Sequence, residues 1–161
     1  MSSVATAPTN TVQLCTFRIG QLLLGIDVLR VQEVLHNLEV TTVPHAAESI
    51  LGLINLRGRI ATAIDLGERL EVERSEDVDA ARSVHVVVRS TGDVVSLVVD
   101  SIDDVLDVEP GDYESPPETM TGVAKELIMG AYKLTGELLL VPDVERIVAL
   151  HSAMSNEAVA S

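Results

Sequence analysis

The sequence predicts a mainly β fold: small barrels made of short hairpins, with a few short helices. Three observations carry this reading. Short apolar or alternating runs recur on either side of turn residues, at Gly20-Gln21, at Arg57-Gly58-Arg59, at RSTGD and at Thr135-Gly136. That is the spacing of small all-β domains, not of strands joined by long helices. Val, Leu and Ile make up 53 of the 161 residues, ample for a packed core and incompatible with a wholly disordered chain. Finally, LGLINLRGRIATAIDLGERL and IMGAYKLTGELLLVPDVERIV share the order strand, turn, strand, Asp, helix. The two halves of the chain therefore repeat one pattern, although few residues match.

The elements follow in order. Met1 to Thr11 is rich in Ser, Thr and Ala and reads as a loose tail. Val12 to Ile19 alternates and Leu22 to Ile26 answers it across Gly20-Gln21, a hairpin. Asp27 is placed to cap a short helix over DVLRVQEVLH, with Val28, Val31 and Leu35 on one stripe and Arg30 and Glu33 turned outward. Val40 to Val43 is a short strand stopped by Pro44. Ile50 to Leu56 and Ile60 to Ile64 form a hairpin around Gly58, the residue that tolerates positive φ. Asp65 caps a helical turn, Leu66 to Leu70, and EVERSEDVDAARS is a polar linker.

The second half has its own hairpin, Ser83 to Val88 with Val94 to Val99. Ile102 to Val108 begins as a helical turn and continues as a strand, and Gly111 to Gly122 is a long loop. Leu127 to Leu134 and Glu137 to Val141 form the last hairpin. Pro142, at the first helical position, opens a helix over Asp143 to Leu150. His151 to Ser161 is a second tail. The domain is thus expected at 12–150, divided into sub-barrels at 12–73 and 80–150, with tails at 1–11 and 151–161.

Charge and composition exclude several functions. Lys plus Arg is 11 against 25 Asp plus Glu, a net charge of −14 that would repel nucleic-acid phosphates and anionic lipid alike. Phe17, Tyr113 and Tyr132 are the whole aromatic complement, too few to stack bases. Such a charge selects partners with basic patches. One cysteine, Cys15, allows no internal disulfide and fits a reducing cytosol. The N-terminus lacks the basic and apolar regions of a signal peptide, and no apolar run approaches the roughly 20 residues that span a bilayer.

Candidate chemistry is thin. In DSIDDVLDVEPGD, Asp100, Asp103, Asp104 and Asp107 do not keep the ligand spacing of a calcium loop and read as a solvated acidic face. His36, His45, His85 and His151 never pair at i+3 or i+4, and His85 in SVHVVV reads as one face of a strand. Neither G-x-S-x-G nor a P-loop nor G-x-G-x-x-G occurs. No catalytic, cofactor-binding or metal-binding residue is therefore expected. Asn55-Leu56-Arg57-Gly58-Arg59 stands apart: two guanidiniums flank a turn glycine on a strongly acidic chain. They are either solvated charges at a hairpin tip or directed contacts, since Arg makes bidentate bonds to carboxylates at interfaces.

GIDVLRVQEV, a Pro shortly after, and ILGLINLRGRIATAIDL together resemble the CheW family of chemotaxis coupling proteins. VVSLVVDSIDDVLDV and LIMGAYKLTGELLLVPDVERIV are similar to the family's later strands and closing helix, so the resemblance covers about Val12 to Leu150. Two features depart from it. Ile60-Ala61-Thr62-Ala63-Ile64 lacks the Pro usual between LRG and DL, and the loop near Pro116 lacks a large aromatic. The resemblance implies two small five-stranded, SH3-like β-barrels around a shared core, and no catalysis. It implies a cytoplasmic adaptor, recruited to receptor arrays, between the cytoplasmic tips of chemoreceptors and the regulatory domain of the histidine kinase CheA. On it, Val31 and Glu33 in VQE and Asn55, Arg57, Gly58 and Arg59 around LRG are the expected partner contacts, beside a groove that receives a receptor helix. Arg57 has a second role open to it, pairing with Glu33 to hold the local shape. The rival functions are an adaptor of a related array that controls pilus motility or development, and an acidic regulator that binds Ca²⁺ or a small molecule.

Overall fold

A computed structural model describes residues 11–72, 83–91 and 93–149. Its strands are β1 (Val12–Ile19), β2 (Leu22–Asp27), β3 (Val31–His36), β4 (Ile50–Leu56), β5 (Arg59–Asp65), β6 (Val84–Ser90), β7 (Asp93–Val99), β8 (Ser101–Val108), β9 (Tyr113–Glu114), β10 (Ile128–Leu134) and β11 (Glu137–Pro142). Short helices are α1 (Leu66–Arg69), α2 (Gly122–Leu127) and α3 (144–149). The strands form a six-stranded sheet, β9-β10-β11-β2-β1-β8, and a five-stranded sheet, β3-β6-β7-β5-β4. This is the mainly β architecture of two SH3-like subdomains.

The two sheets repeat one plan. Each holds a hairpin, β1–β2 or β6–β7, and a second hairpin, β10–β11 or β4–β5, joined to the first through a parallel pair. A capped helix follows the second hairpin in both. Asp65 Oδ1 accepts from the Glu68 N–H at 3.2 Å ahead of α1, and Asp143 Oδ1 from the Arg146 N–H at 3.1 Å ahead of α3. The internal rhyme of the sequence is thus a structural repeat. Each sheet, however, takes strands from both 12–73 and 80–150: the first from 12–27 and 101–142, the second from 31–99. The chain crosses from one sheet to the other after β2 and returns after β7, so the segments 12–73 and 80–150 do not correspond to the sheets.

Alternation along the strands fills three apolar clusters. Leu14, Leu23, Val108, Tyr132 and Leu139 lie within the first sheet's own fold, and Ile54, Ala61, Ala63 and Val98 within the second's. Between the sheets a larger cluster gathers Phe17, Ile19 and Leu24 from one side and Ile64, Val86 and Leu97 from the other. Side chains buried this fully contribute about 1.5–3 kcal/mol each.

Several sequence expectations need correction. The stretch after Asp27 is not a helix. Val28–Arg30 makes one 3-10 turn, with Asp27 Oδ1 accepting from the Leu29 N–H at 2.9 Å, and β3 begins at Val31. The helical spacing has a cause: a bulge leaves Gln32 unpaired, since Val31 faces Val88 while Glu33 faces Val87. The extra residue lets Val31 and Val34, three apart, both reach the shared core. Of Val40 to Val43, only Thr41 pairs, in a lone bridge to Leu53; Pro44 has no N–H to extend it. Ile102 to Val108 is strand throughout. Pro142 ends β11 instead of opening α3, whose cap is Asp143. The tails at 1–10 and 151–161, Leu150, most of the linker, 73–82, and Gly92 of RSTGD lie outside the described residues.

Candidate functional site

The hairpin of β4 and β5 closes at Leu56↔Arg59, so its loop is Arg57 and Gly58 alone. Both have positive φ, 54° and 88°, the two-residue turn whose twist suits antiparallel strands. Gly58 adopts this at no steric cost. Arg57 carries a Cβ there, at a cost of about 1 kcal/mol or more. Asn55 secures the turn: its Oδ1 accepts from the Gly58 N–H at 2.8 Å.

Arg57 reaches across to β3, where its Nη1 lies 3.1 Å from Glu33 Oε2. The Arg57 side chain is 80% exposed and that of Glu33 only 19%. The bulge at Gln32 turns Glu33 away from the shared core and toward the hairpin. Gln32, Arg59, Ile60, Asp93 and Val94 close a cavity of about 40 Å³ around the pair. A fixed carboxylate, a projecting guanidinium and a rim of mixed polarity can recognise a surface.

Of the expected contacts, Glu33 and Arg57 meet directly, with Asn55, Gly58 and Arg59 in the same hairpin. Val31 does not join them, being half-buried against the shared core. Three residues escaped the sequence reading. Ile60 is 62% exposed beside Arg59, and its apolar side chain at a charged hairpin tip was the available signal. Asp93 arrives from β7, for which the sequence carries no signal. Leu29 is 80% exposed on the turn before β3. Arg30 anchors that turn, pairing with Glu145 and donating to the Arg89 carbonyl at 3.0 Å. Glu145 also accepts from Ser90 Oγ and Thr91 Oγ1, both at 3.1 Å. The donor bond from Arg30, then those from Ser90 and Thr91, hold its carboxyl below the ordinary range.

The other candidates of the sequence settle elsewhere. His85 is wholly buried on β6, its Nδ1 2.9 Å from Ser96 Oγ, and burial lowers its pKa. Burial likewise pushes the Cys15 thiol up. Among the described residues, no three of His, Cys, Asp and Glu gather closely enough to hold a metal ion, and no helix is long and apolar enough to cross a membrane. A groove of about 900 Å³ lies away from the Glu33–Arg57 pair. It lies at the Asp100 end of β7, whereas the pair lies at the Asp93 end. Seven residues of strand separate the two, about 23 Å.

Two interlocked sheets, a shared core and a charged hairpin tip define a small two-sheet β domain. Comparison with known proteins names the family. The CheW-like domain model matches residues 13–151, and the chain belongs to that family. It is 30% identical over 137 residues to the chemotaxis protein CheW of Treponema pallidum, covering 84% of this chain and 81% of that one. It is 31% identical over 134 residues to CheW of Klebsiella aerogenes, covering 83% and 79%. The crystal structure of the scaffolding protein TtCheW from Thermoanaerobacter tengcongensis superposes with a TM-score of 0.76 at 26% identity, covering 85% of this chain and 92% of that chain.

Proposed function

We propose that this chain is a non-catalytic adaptor of chemotaxis signalling, cytoplasmic and recruited to receptor arrays, which couples chemoreceptor tips to the regulatory domain of a CheA-type histidine kinase. The observation that carries the reading is the family match over 13–151. The geometry supports it with a contact face whose charges are set by the fold. Glu33 and Arg57 fix register and partner choice, and Asn55, Gly58 and Arg59 shape the hairpin that presents them. Val31 acts from beneath, by seating β3 on the core. Ile60 and Leu29 supply exposed apolar area of the kind that drives affinity.

The test is reconstitution. Purified chain is added over a concentration series to receptor-containing membranes and a CheA-type kinase, and autophosphorylation is followed. A saturable rise is expected. A kinase rate unchanged across the series refutes the adaptor reading.

A further inference from the structure

The contact face is carried by the second sheet, yet one of its anchors comes from a helix that follows the first. Glu145 lies on α3, which is fixed on its other sides. Val144, Ile147 and Val148 are buried in the shared cluster, and Arg69 of α1 donates to the Ile147 and Arg146 carbonyls at 3.4 and 3.3 Å. The Glu145 carboxylate takes donors from two places at once. One oxygen pairs with Arg30, in the turn before β3. The other accepts from Ser90 Oγ and Thr91 Oγ1, at and just past the end of β6, both at 3.1 Å. Both places lead to the face. Ser90 is paired with Asp93, which lines the cavity around Glu33 and Arg57. Arg30 precedes Val31, the first residue of β3. β3 is an edge strand, paired on one side to β6, and the bulge at Gln32 cuts its first pair, Val31↔Val88, off from the rest of the ladder. Arg30 secures that pair by donating to the Arg89 carbonyl at 3.0 Å, one residue beyond Val88. Glu145 holds the Arg30 side chain where it can make this bond.

We propose that Glu145 is a positioning residue for the contact face: by holding Arg30 and the end of β6 together it keeps β3 seated across its bulge, and so keeps Glu33 aimed at Arg57. The consequence for signalling rests on the adaptor reading; the effect on β3 does not. A single exposed ion pair contributes little. Here one carboxylate receives three donors from two segments, so its loss releases both together. Without it β3 opens more often at Val31, and the face is assembled for a smaller share of the time. A partner's apparent affinity falls by that share, while saturation still draws the chain into the assembled form. The half-activating concentration should therefore move, and the plateau should not.

The test compares three full-length variants with the parent chain. Glu145→Ala removes the clamp, and Arg30→Gln removes the β3 side of it. Glu137→Gln is the control, because Glu137 holds Arg18 on the first sheet at a similar side-chain exposure, 40% against 46% for Glu145. Amide hydrogen exchange, followed by NMR, reads β3 directly. In the first two variants the β3 amides should exchange about threefold faster or more, and in Glu137→Gln they should keep the parent rate. In reconstitution with receptor-containing membranes and a CheA-type kinase, Glu145→Ala should raise the half-activating concentration about threefold or more and reach the parent's plateau. Unchanged β3 exchange in Glu145→Ala overturns the proposal. So does an unchanged half-activating concentration beside an active parent, or an equal rise in Glu137→Gln, which would trace the effect to a general loss of stability. A parent chain that gives no activation refutes the adaptor reading, and β3 exchange then decides this proposal by itself.

Discussion

Arg57 offers a substitution that separates recognition from stability. Its backbone sits at φ 54°, a conformation that costs a residue with a Cβ about 1 kcal/mol. Its side chain is mostly in water, and its pair with Glu33 at 3.1 Å is worth about 0.5–1 kcal/mol at that exposure. Arg57→Gly removes both terms. The relief of the turn and the loss of the pair nearly cancel, which leaves a net change within about 0.5 kcal/mol. For a chain of this size that is about 1–2 °C in melting temperature. Coupling should nevertheless fall sharply, because the projecting guanidinium is gone.

Charge reversal completes the experiment. Arg57→Glu and Glu33→Arg each set like charges together at the hairpin, costing about 1 kcal/mol. If the pair acts mainly within the chain, the double exchange restores both stability and kinase activation. If Arg57 contacts the partner, the double exchange restores stability and leaves activation low. The assays are thermal melting and receptor-coupled autophosphorylation. Full activation by Arg57→Gly would remove Arg57 from the contact face. A fall of more than about 5 °C for the same variant would show that the ion pair is worth far more than its exposure allows.

Other outcomes follow from the same structure. His85 is neutral and buried, with no partner for Nε2 among the described residues. Its folded pKa lies below the unfolded 6.5, so its contribution to stability is complete above about pH 6.5 and falls as pH drops toward the folded value. The slope is at most about 1.4 kcal/mol per pH unit, and urea melts between pH 8 and 5.5 should lose it in His85→Leu/Ser96→Ala; an unchanged slope refutes the assignment. Gly58→Val places a β-branched residue at φ 88° and should cost about 1–3 kcal/mol by urea denaturation; a loss under about 0.3 kcal/mol would mean that the turn rearranges freely. Expressed alone, 12–73 and 80–150 should both lack cooperative melting, because each sheet needs strands from the two segments; a cooperative transition in either piece contradicts the exchange.

Most of the strands were legible in the sequence because alternation and turn residues are local signals. The hairpins closing at Gly20-Gln21, Arg57-Gly58 and Thr135-Gly136 each advertise their turn, and Asp65 advertises its cap. The region from Val28 to His36 misled, because a bulge converts a period of two into a spacing of three across Val31 and Val34. No residue type marks a bulge at Gln32; it becomes visible only when β6 is laid alongside. The partnership of the sheets was hidden for a related reason. Parallel pairing of β5 with β7, and of β11 with β2, joins segments far apart in the chain. Arg57 stood out as a charge on a turn, but Asp93 and Ile60 enter its surroundings only through that pairing and the hairpin's aim.

The bulge that defeated the periodicity also ties the contact face to the core. On either side of Gln32, Val31 and Val34 are held in the shared cluster, while Glu33 is turned the other way to meet Arg57. Without the extra residue, strict alternation would put Val31 and Glu33 on one face, and a carboxylate would point into the apolar layer at a cost of several kcal/mol. Glu33 is thus set by packing on the far side of its own strand, and Arg57 by a turn that Asn55 secures through the Gly58 N–H. The charges of the proposed contact face depend on the seating of β3 against β6, and β6 in turn lies against the other sheet through Val84, Val86 and Val88. A partner that draws on Glu33 or Arg57 therefore pulls on a strand anchored in the cluster both sheets share. That arrangement gives the domain a surface of fixed shape and charge.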